Sequence, residues 1–382
     1  MWLKRRAAWP VSIALALAMM TLTACAASGG ASSPTPTATP SVLLPAALAP
    51  LSIFIAGNQS NSAGPATFVA LNAATGAQRW QSPLGLTYTT PVMAAGLVYT
   101  ASKDTFVYAF HASDGSTAWK FSRGTSDDGY PVVAGATLYV ASDSGSVYAL
   151  DAASGAQRWH FQAPSASDHI YSAPAVANGV VYVSVGGADD GLYALDGSSG
   201  AVRWRAATTA DAANGQPVAM DGVVYLTDNG GSLYAIDAVT GAVRWRASVT
   251  GAFQAGPAVA GGRVFVGGED GILYAVDAAT GQPVWNKPLG GQIGLNAGPS
   301  VVDSVVYAGG SDGRLSALSA TTGAILWQKA LSDAVSSTPV AVDGVVFVGD
   351  QSGDVYAMQA SDGAIAWRRH VDSVILASAV VG

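Results

Sequence analysis

Hydrophobic and polar residues alternate over short distances along residues 51–382, and Gly, Asp and Ser break the alternation at regular points. Val345-Val346-Phe347-Val348-Gly349 and Asp354-Val355-Tyr356-Ala357-Met358 are typical: two strand-forming runs with Ser352-Gly353 between them. Asp270-Gly271, Gly230-Gly231 and Ser144-Gly145 stand at corresponding places, and such pairs favour tight hairpins. A Pro-led run comes before each pair, as in Thr338-Pro339-Val340-Ala341-Val342; the prolines recur as Pro91, Pro131, Pro174, Pro217, Pro257, Pro299 and Pro339. Proline suits the start of a strand, where no ladder hydrogen bond is lost. A fourth run closes each unit with tryptophan.

Those tryptophans set the period. Trp80, Trp119, Trp159, Trp204, Trp245, Trp285, Trp327 and Trp367 are separated by 39, 40, 45, 41, 40, 42 and 40 residues. Each ends the phrase Ala-x-x-x-x-x-Gly-x-x-x-Trp, with Asp at the third position in Asp151, Asp196, Asp237 and Asp277. Four short antiparallel strands in about 41 residues make one propeller blade. The predicted fold is therefore all-β: an eight-bladed β-propeller of four-stranded antiparallel blades over residues 51–382. The first unit lacks its Pro-led strand, since Leu51–Ala56 already reads as a second strand. The missing piece appears after the last tryptophan, at Leu376–Val381, so the C-terminal strand is expected to join the N-terminal blade and close the ring.

Composition agrees with a strand-and-turn protein. Of the 25 acidic residues only Glu269 is Glu, and there are 45 Gly; Asp and Gly serve turns, whereas Glu favours helices. Eighteen basic residues against 25 acidic ones argue against a nucleic-acid partner. One cysteine excludes a disulfide scaffold.

That cysteine stands directly after an N-terminal leader. Lys4, Arg5 and Arg6 precede an apolar stretch that ends in Leu22-Thr23-Ala24-Cys25, the layout of a secretory signal. The four residues resemble the lipobox of bacterial lipoproteins, which implies cleavage after residue 24 and lipidation of Cys25. A plain signal peptide with an incidental cysteine is the alternative. Loss of the leader would take the formal net charge from −7 to −10. Residues 25–50, rich in Ala, Ser, Thr and Pro, read as the lipidated cysteine and an extended tether. The expected location is the bacterial cell envelope, facing away from the cytoplasm, with the membrane reached only through the lipid.

The phrase Ala-x-Asp-x-x-Thr/Ser-Gly-x-x-x-Trp, in eight in-phase copies, resembles the tryptophan-docking motif of PQQ-type propeller repeats. That family includes quinoprotein alcohol dehydrogenases and a propeller lipoprotein of the outer-membrane barrel-assembly machinery. The resemblance implies that the eight tryptophans named above stack between blades. Asp at the third position then stabilises a turn.

Ligands of propellers gather near the axis, so the residues just before each Pro are the candidate binding rim: Tyr88, Asp128, Tyr130, His169, Tyr171, Asn214, Gln216, Gln254, Asn296 and Ser336. The set is aromatic and polar, suited to a polar molecule or a peptide, and equally to satisfying loop backbone. No catalytic residue and no metal site is assigned. The quinoprotein dehydrogenases, by resemblance, hold calcium and PQQ above the ring with an adjacent-cysteine disulfide, which a chain with one cysteine cannot form. Glu269 is expected in an outer hairpin, away from the rim. No cofactor is expected. The first reading is a monomeric, non-catalytic scaffold for envelope proteins or a polar surface ligand. The alternatives are a PQQ-binding oxidoreductase or redox sensor, and a polysaccharide-binding adhesion module.

Overall fold

Eight four-stranded antiparallel sheets follow one another along the chain. The computed structural model describes residues 44–57, 66–208, 215–249, 251–253, 255–293, 298–371, 375, 378 and 380–382. Blade 2 shows the plan: an innermost strand Val92–Ala94, then Leu97–Ala101, Phe106–His111 and the tryptophan strand Thr117–Ser122. Innermost strands of successive blades touch around the axis, as Val92–Ala94 does with Gly129–Ala134. Six of the seven prolines immediately precede an innermost strand. Pro131 instead lies inside one, paired with Val140; this is tolerated because the innermost strand is a sheet edge.

Blade 1 is completed by the C-terminus, as the repeat count predicts. Val380–Val381 pairs with Ile53 and Phe54 of strand Ser52–Gly57. Ser52 and Gly382 exchange backbone hydrogen bonds of 2.7 and 3.0 Å. Of the expected strand 376–381, residues 376, 377 and 379 lie outside the described residues.

The second and third strands of each blade carry the core. Val345–Gly349 is buried along its whole length, because both of its faces meet neighbouring blades and alternation gives way to a continuous apolar run. Eight hydrophobic clusters result among the described residues, one between each pair of adjacent blades. The cluster joining Val345 and Phe347 to Ile53, Ile55 and Leu71 seals blade 8 against blade 1.

Each tryptophan spans such a junction. Its Nε1 donates to a carbonyl in the next blade's turn, at distances from 2.8 Å (Trp80 to Ala112) to 3.3 Å (Trp204 to Ala238). An aromatic from the second strand of the same blade leans on the indole, as Tyr99 does on Trp119 with centroids 5.8 Å apart. In four blades that residue is a tyrosine whose hydroxyl reaches the same carbonyl; Tyr99 and Trp119 both donate to Ala152 O. In the four copies with Asp at the third position, and in the Asn72 copy, that side chain braces the accepting turn; in the His111 and Gln359 copies Asp114 and Asp362 accept there instead. Asp237 Oδ1 takes the backbone N–H groups of Val239 and Thr240 and the Thr240 hydroxyl, while its other oxygen meets Arg244 at 2.7 Å.

Candidate functional site

Strand direction alternates four times per blade, so the hairpin turn between the second and third strands lies at the same end as the connection into that blade. Backbone bonds tie the two together: Lys103 N to Leu86 O, Asp143 N to Asp128 O, a mutual pair between His169 and Gly186, and Gln351 N to Ala334 O. The face thus combines the pre-proline residues with hairpin residues. Glu269 belongs here too: its turn bonds through Glu269 N to Ala252 O of a connection at 3.2 Å. It is not set apart from that face as the sequence reading had it.

Among the described residues, the densest chemistry on this face spans the entries to blades 2, 3 and 4. Lys103 Nζ lies 3.1 Å from Asp128 Oδ2 and 4.7 Å from the centroid of the Tyr88 ring. Asp128 is only 9% exposed, and its Oδ1 is buried without a hydrogen-bond partner. Its backbone N–H donates to Asp143 Oδ2 at 3.3 Å, and Tyr130 donates its hydroxyl to Asp143 Oδ1 at 2.8 Å. Tyr171 stacks on His169 with centroids 4.6 Å apart. Tyr88 and Tyr171 are exposed, at 41% and 43%.

The electrostatics follow from crowding. Burial raises the pKa of Asp128, against the opposing pull of Lys103. Burial also raises that of Asp143, with the Asp128 and Asp127 carboxylates adding to it. The Tyr130 phenol is pushed far up by burial and then by Asp143, so it remains a hydrogen-bond donor. Burial works against the Lys103 charge, yet Asp128, with Tyr88 and Asp143 nearby, holds its pKa above the ordinary value.

Beneath this surface Arg123 clamps the connection. Its side chain is fully buried; it pairs with the Asp127 carboxylate and donates to the carbonyls of Ser102 at 2.9 Å and Asp127 at 2.7 Å. Asp127 also accepts from Ser142 Oγ and Ser144 N. Burial opposes its ionisation, but Arg123 and these donors keep its pKa low.

The other predicted rim residues fare differently. Ser336 is buried, with its hydroxyl on Ile375 O at 3.2 Å, so it braces a connection. Gln216 is exposed. Asn214, Gln254, Asn296 and Cys25 lie outside the described residues. Asp168, next to His169 in the chain, is spent on the backbone N–H groups of Ser165, Ala188 and Asp189. Sequence reasoning missed Lys103, Arg123 and Asp143. The alternation of strand direction would have brought the two hairpin residues, Lys103 and Asp143, to this face; nothing in the repeat marks Arg123.

Among the described residues no group of three or more His, Cys, Asp or Glu side chains is placed to hold a metal ion. Asp127 is committed to Arg123 and Asp128 to Lys103, so this donor set does not suit the calcium ion and quinone of a quinoprotein.

Comparison with known proteins places the chain among relatives. A PQQ-repeat family model described as outer membrane protein assembly factor BamB matches residues 49–129, 107–216, 188–334 and 269–381. The crystal structure of BamB from Moraxella catarrhalis superposes with a TM-score of 0.65 at 23% identity, over 78% of this chain and 92% of that one. Quinohemoprotein alcohol dehydrogenase from Comamonas testosteroni superposes at 0.64 and 16% identity, over 77% and 68% of the two chains. A europium-containing methanol dehydrogenase gives 0.62 and 14%, over 76% and 79%. At these identities the structural likenesses concern the fold alone. No curated protein sequence matches the chain.

Proposed function

The chain belongs to the PQQ-repeat family described as outer membrane protein assembly factor BamB, and on that premise we propose that it is a non-catalytic protein-interaction scaffold of the bacterial envelope. In this reading Cys25 carries the lipid, residues 26–50 are the tether, and the propeller presents its connection face to envelope proteins.

The observation that carries the proposal is the family match, which runs through every blade from residue 49 to 381. Two further features support it. The acidic side chains at the entries to blades 3 and 4 hold loops in place: Asp127 through Arg123, Asp128 through Lys103 and Asp168 through three backbone N–H groups. Carboxylates so engaged are poorly disposed as general bases. Two aromatic residues on the same face, Tyr88 and Tyr171, are solvent-facing, and tyrosine is enriched where proteins dock.

The test is purification of the tagged, full-length lipoprotein from crosslinked envelopes of its own host. Recovery of barrel-assembly proteins supports the scaffold reading in its specific form. Recovery of none, with the tagged protein present at its native level, contradicts it.

A further inference from the structure

Basic residues are segregated on the outside of the ring. Lys4, Arg5 and Arg6 aside, eleven of the fifteen Lys and Arg residues lie on the fourth, tryptophan-bearing strands, and no Asp or Glu does. A chain of net charge −7 thus turns a basic rim outward. In blades 3–5 much of this charge is spent locally, since Arg158, Arg203, Arg205 and Arg244 each pair with an Asp of their own blade.

Blades 6–8 differ. Lys287, Lys329 and Arg369 stand two residues beyond the tryptophan, where blades 2 and 3 have Phe121 and Phe161. Among the described residues none of the three has an ion-pair partner. Lys329 and Arg369 are exposed and Lys287 is half-buried. On the same three strands Val284, Leu326 and Ile365 are exposed as well. Lysine on a free edge hinders pairing with a second sheet, but exposed aliphatic side chains beside it work the other way. Unpaired cations among exposed aliphatic groups suit the boundary of an anionic bilayer, where the charges meet head groups and the apolar groups sink past them.

The N-terminal segment reaches the ring at the same place. Leu48 is buried, and Leu44 packs against it, in the cluster between blades 8 and 1 that also holds Phe347 and Trp367. Arg79 donates to the carbonyls of Ala49 and Pro50. A lipid on Cys25 therefore pulls on the ring at blade 8, next to these strands, and not at blade 4 across it.

We infer that the outer edge of blades 6–8, through Lys287, Lys329 and Arg369 with their aliphatic neighbours, lies on an anionic lipid surface. The propeller then sits edge-on to its membrane, and its connection face stays open. The inference rests on the lipid anchor of the scaffold reading and adds an orientation to it.

The test reconstitutes the full-length lipoprotein into phosphatidylcholine vesicles, with and without phosphatidylglycerol, that contain a spin-labelled lipid as quencher. A dye is placed at Ala324→Cys in blade 7 or at the equivalent Ala156→Cys in blade 3, both exposed positions. The dye at position 324 is expected to be quenched in the anionic vesicles, and less so in neutral ones or as salt rises. The dye at position 156 should stay bright throughout. A basic side chain at an anionic surface is worth about fivefold. Lys287→Gln, Lys329→Gln and Arg369→Gln together should therefore lower the ratio of docked to undocked molecules on the order of a hundredfold. Leu326→Ser, a single change at an exposed position, should also lower it. Equal quenching at both positions, or quenching indifferent to salt and to the charge substitutions, would overturn the inference. So would a triple variant that self-associates yet keeps its quenching, which would assign the charges to edge protection. Protein that floats with the vesicles but stays bright at both positions refutes the docking edge and leaves the anchor standing. Protein that does not float refutes the anchor, and the inference with it.

Discussion

Trp367 Nε1 donates to Ala73 O at 3.0 Å across 294 positions of sequence, so the last indole docks on the turn of the first blade. The same turn contains Gly76 at φ +68°, where an added Cβ would lie 2.8 Å from the Trp367 ring. One contact therefore fixes both an aromatic and a glycine.

Truncating that indole should loosen the closure. Trp367→Ala is expected to cost about 3 kcal/mol, near the lower bound for large aromatics because the residue is only partly buried. Trp367→Phe, which keeps most of the apolar contact and loses the hydrogen bond, should cost about 1 kcal/mol. Gly76→Ala should be damaging through both the positive φ and the clash. Chemical denaturation of the three variants checks the order; an unchanged midpoint in Trp367→Ala would refute the docking role.

Arg123 should be intolerant of change. Removing a fully buried guanidinium leaves the Asp127 carboxylate uncompensated, so Arg123→Ala is expected to cost about 3–5 kcal/mol. Arg123→Lys should not restore stability, because a single ammonium nitrogen does not span the acceptors that two separate guanidinium nitrogens reach, the Asp127 carboxylate from one and the Ser102 and Asp127 carbonyls from the other. Full rescue by lysine in a melting experiment would show that charge alone matters there.

Acid should act on the fold in two opposed phases. Asp151 is held down to about 2 by Arg158 and Ser154, and hydrogen bonds from Arg244 and Thr240 place Asp237 well below the ordinary range. A depressed folded pKa adds stability above the unfolded value of about 3.9, and that stability is lost as pH falls through the folded one. Asp128 and Asp143 are raised instead, so between about 3.9 and their folded values the native state binds more protons and acidification stabilises it. Melting midpoints should hold or rise on the first descent from neutrality and then fall steeply below about pH 4. Asp143→Asn should flatten the first phase and Asp237→Asn the second. A monotonic decline, identical in both variants, would rule out this assignment.

Much of the architecture is legible in the sequence because it repeats. Pro339 and its six counterparts announce innermost strands, Trp367 and its seven counterparts announce outer ones, and the unit missing before Leu51 reappears at Val380–Val381. The site is less legible because it breaks the repeat. Lys103 occurs in one hairpin turn only, and Asp143 meets Asp128 across a strand pair that no local pattern advertises. Tyr99 and its equivalents read simply as strand residues; their place against the indoles depends on how one blade's interior packs.

The quinone reading makes its own prediction. Titration of PQQ with calcium into the propeller should give no saturable heat, since Asp127 and Asp128 are held by resident cations. One-to-one binding would require those ion pairs to open and would revive the oxidoreductase alternative.

The most direct measurement of the central claim places a photo-crosslinking amino acid in the full-length lipoprotein within its native envelope, at Tyr88 or Tyr171 on the connection face and at Thr280 on the opposite one. The scaffold account predicts discrete protein adducts from the two tyrosine positions and none from Thr280. Adducts from Thr280 alone, or from no position, would contradict it.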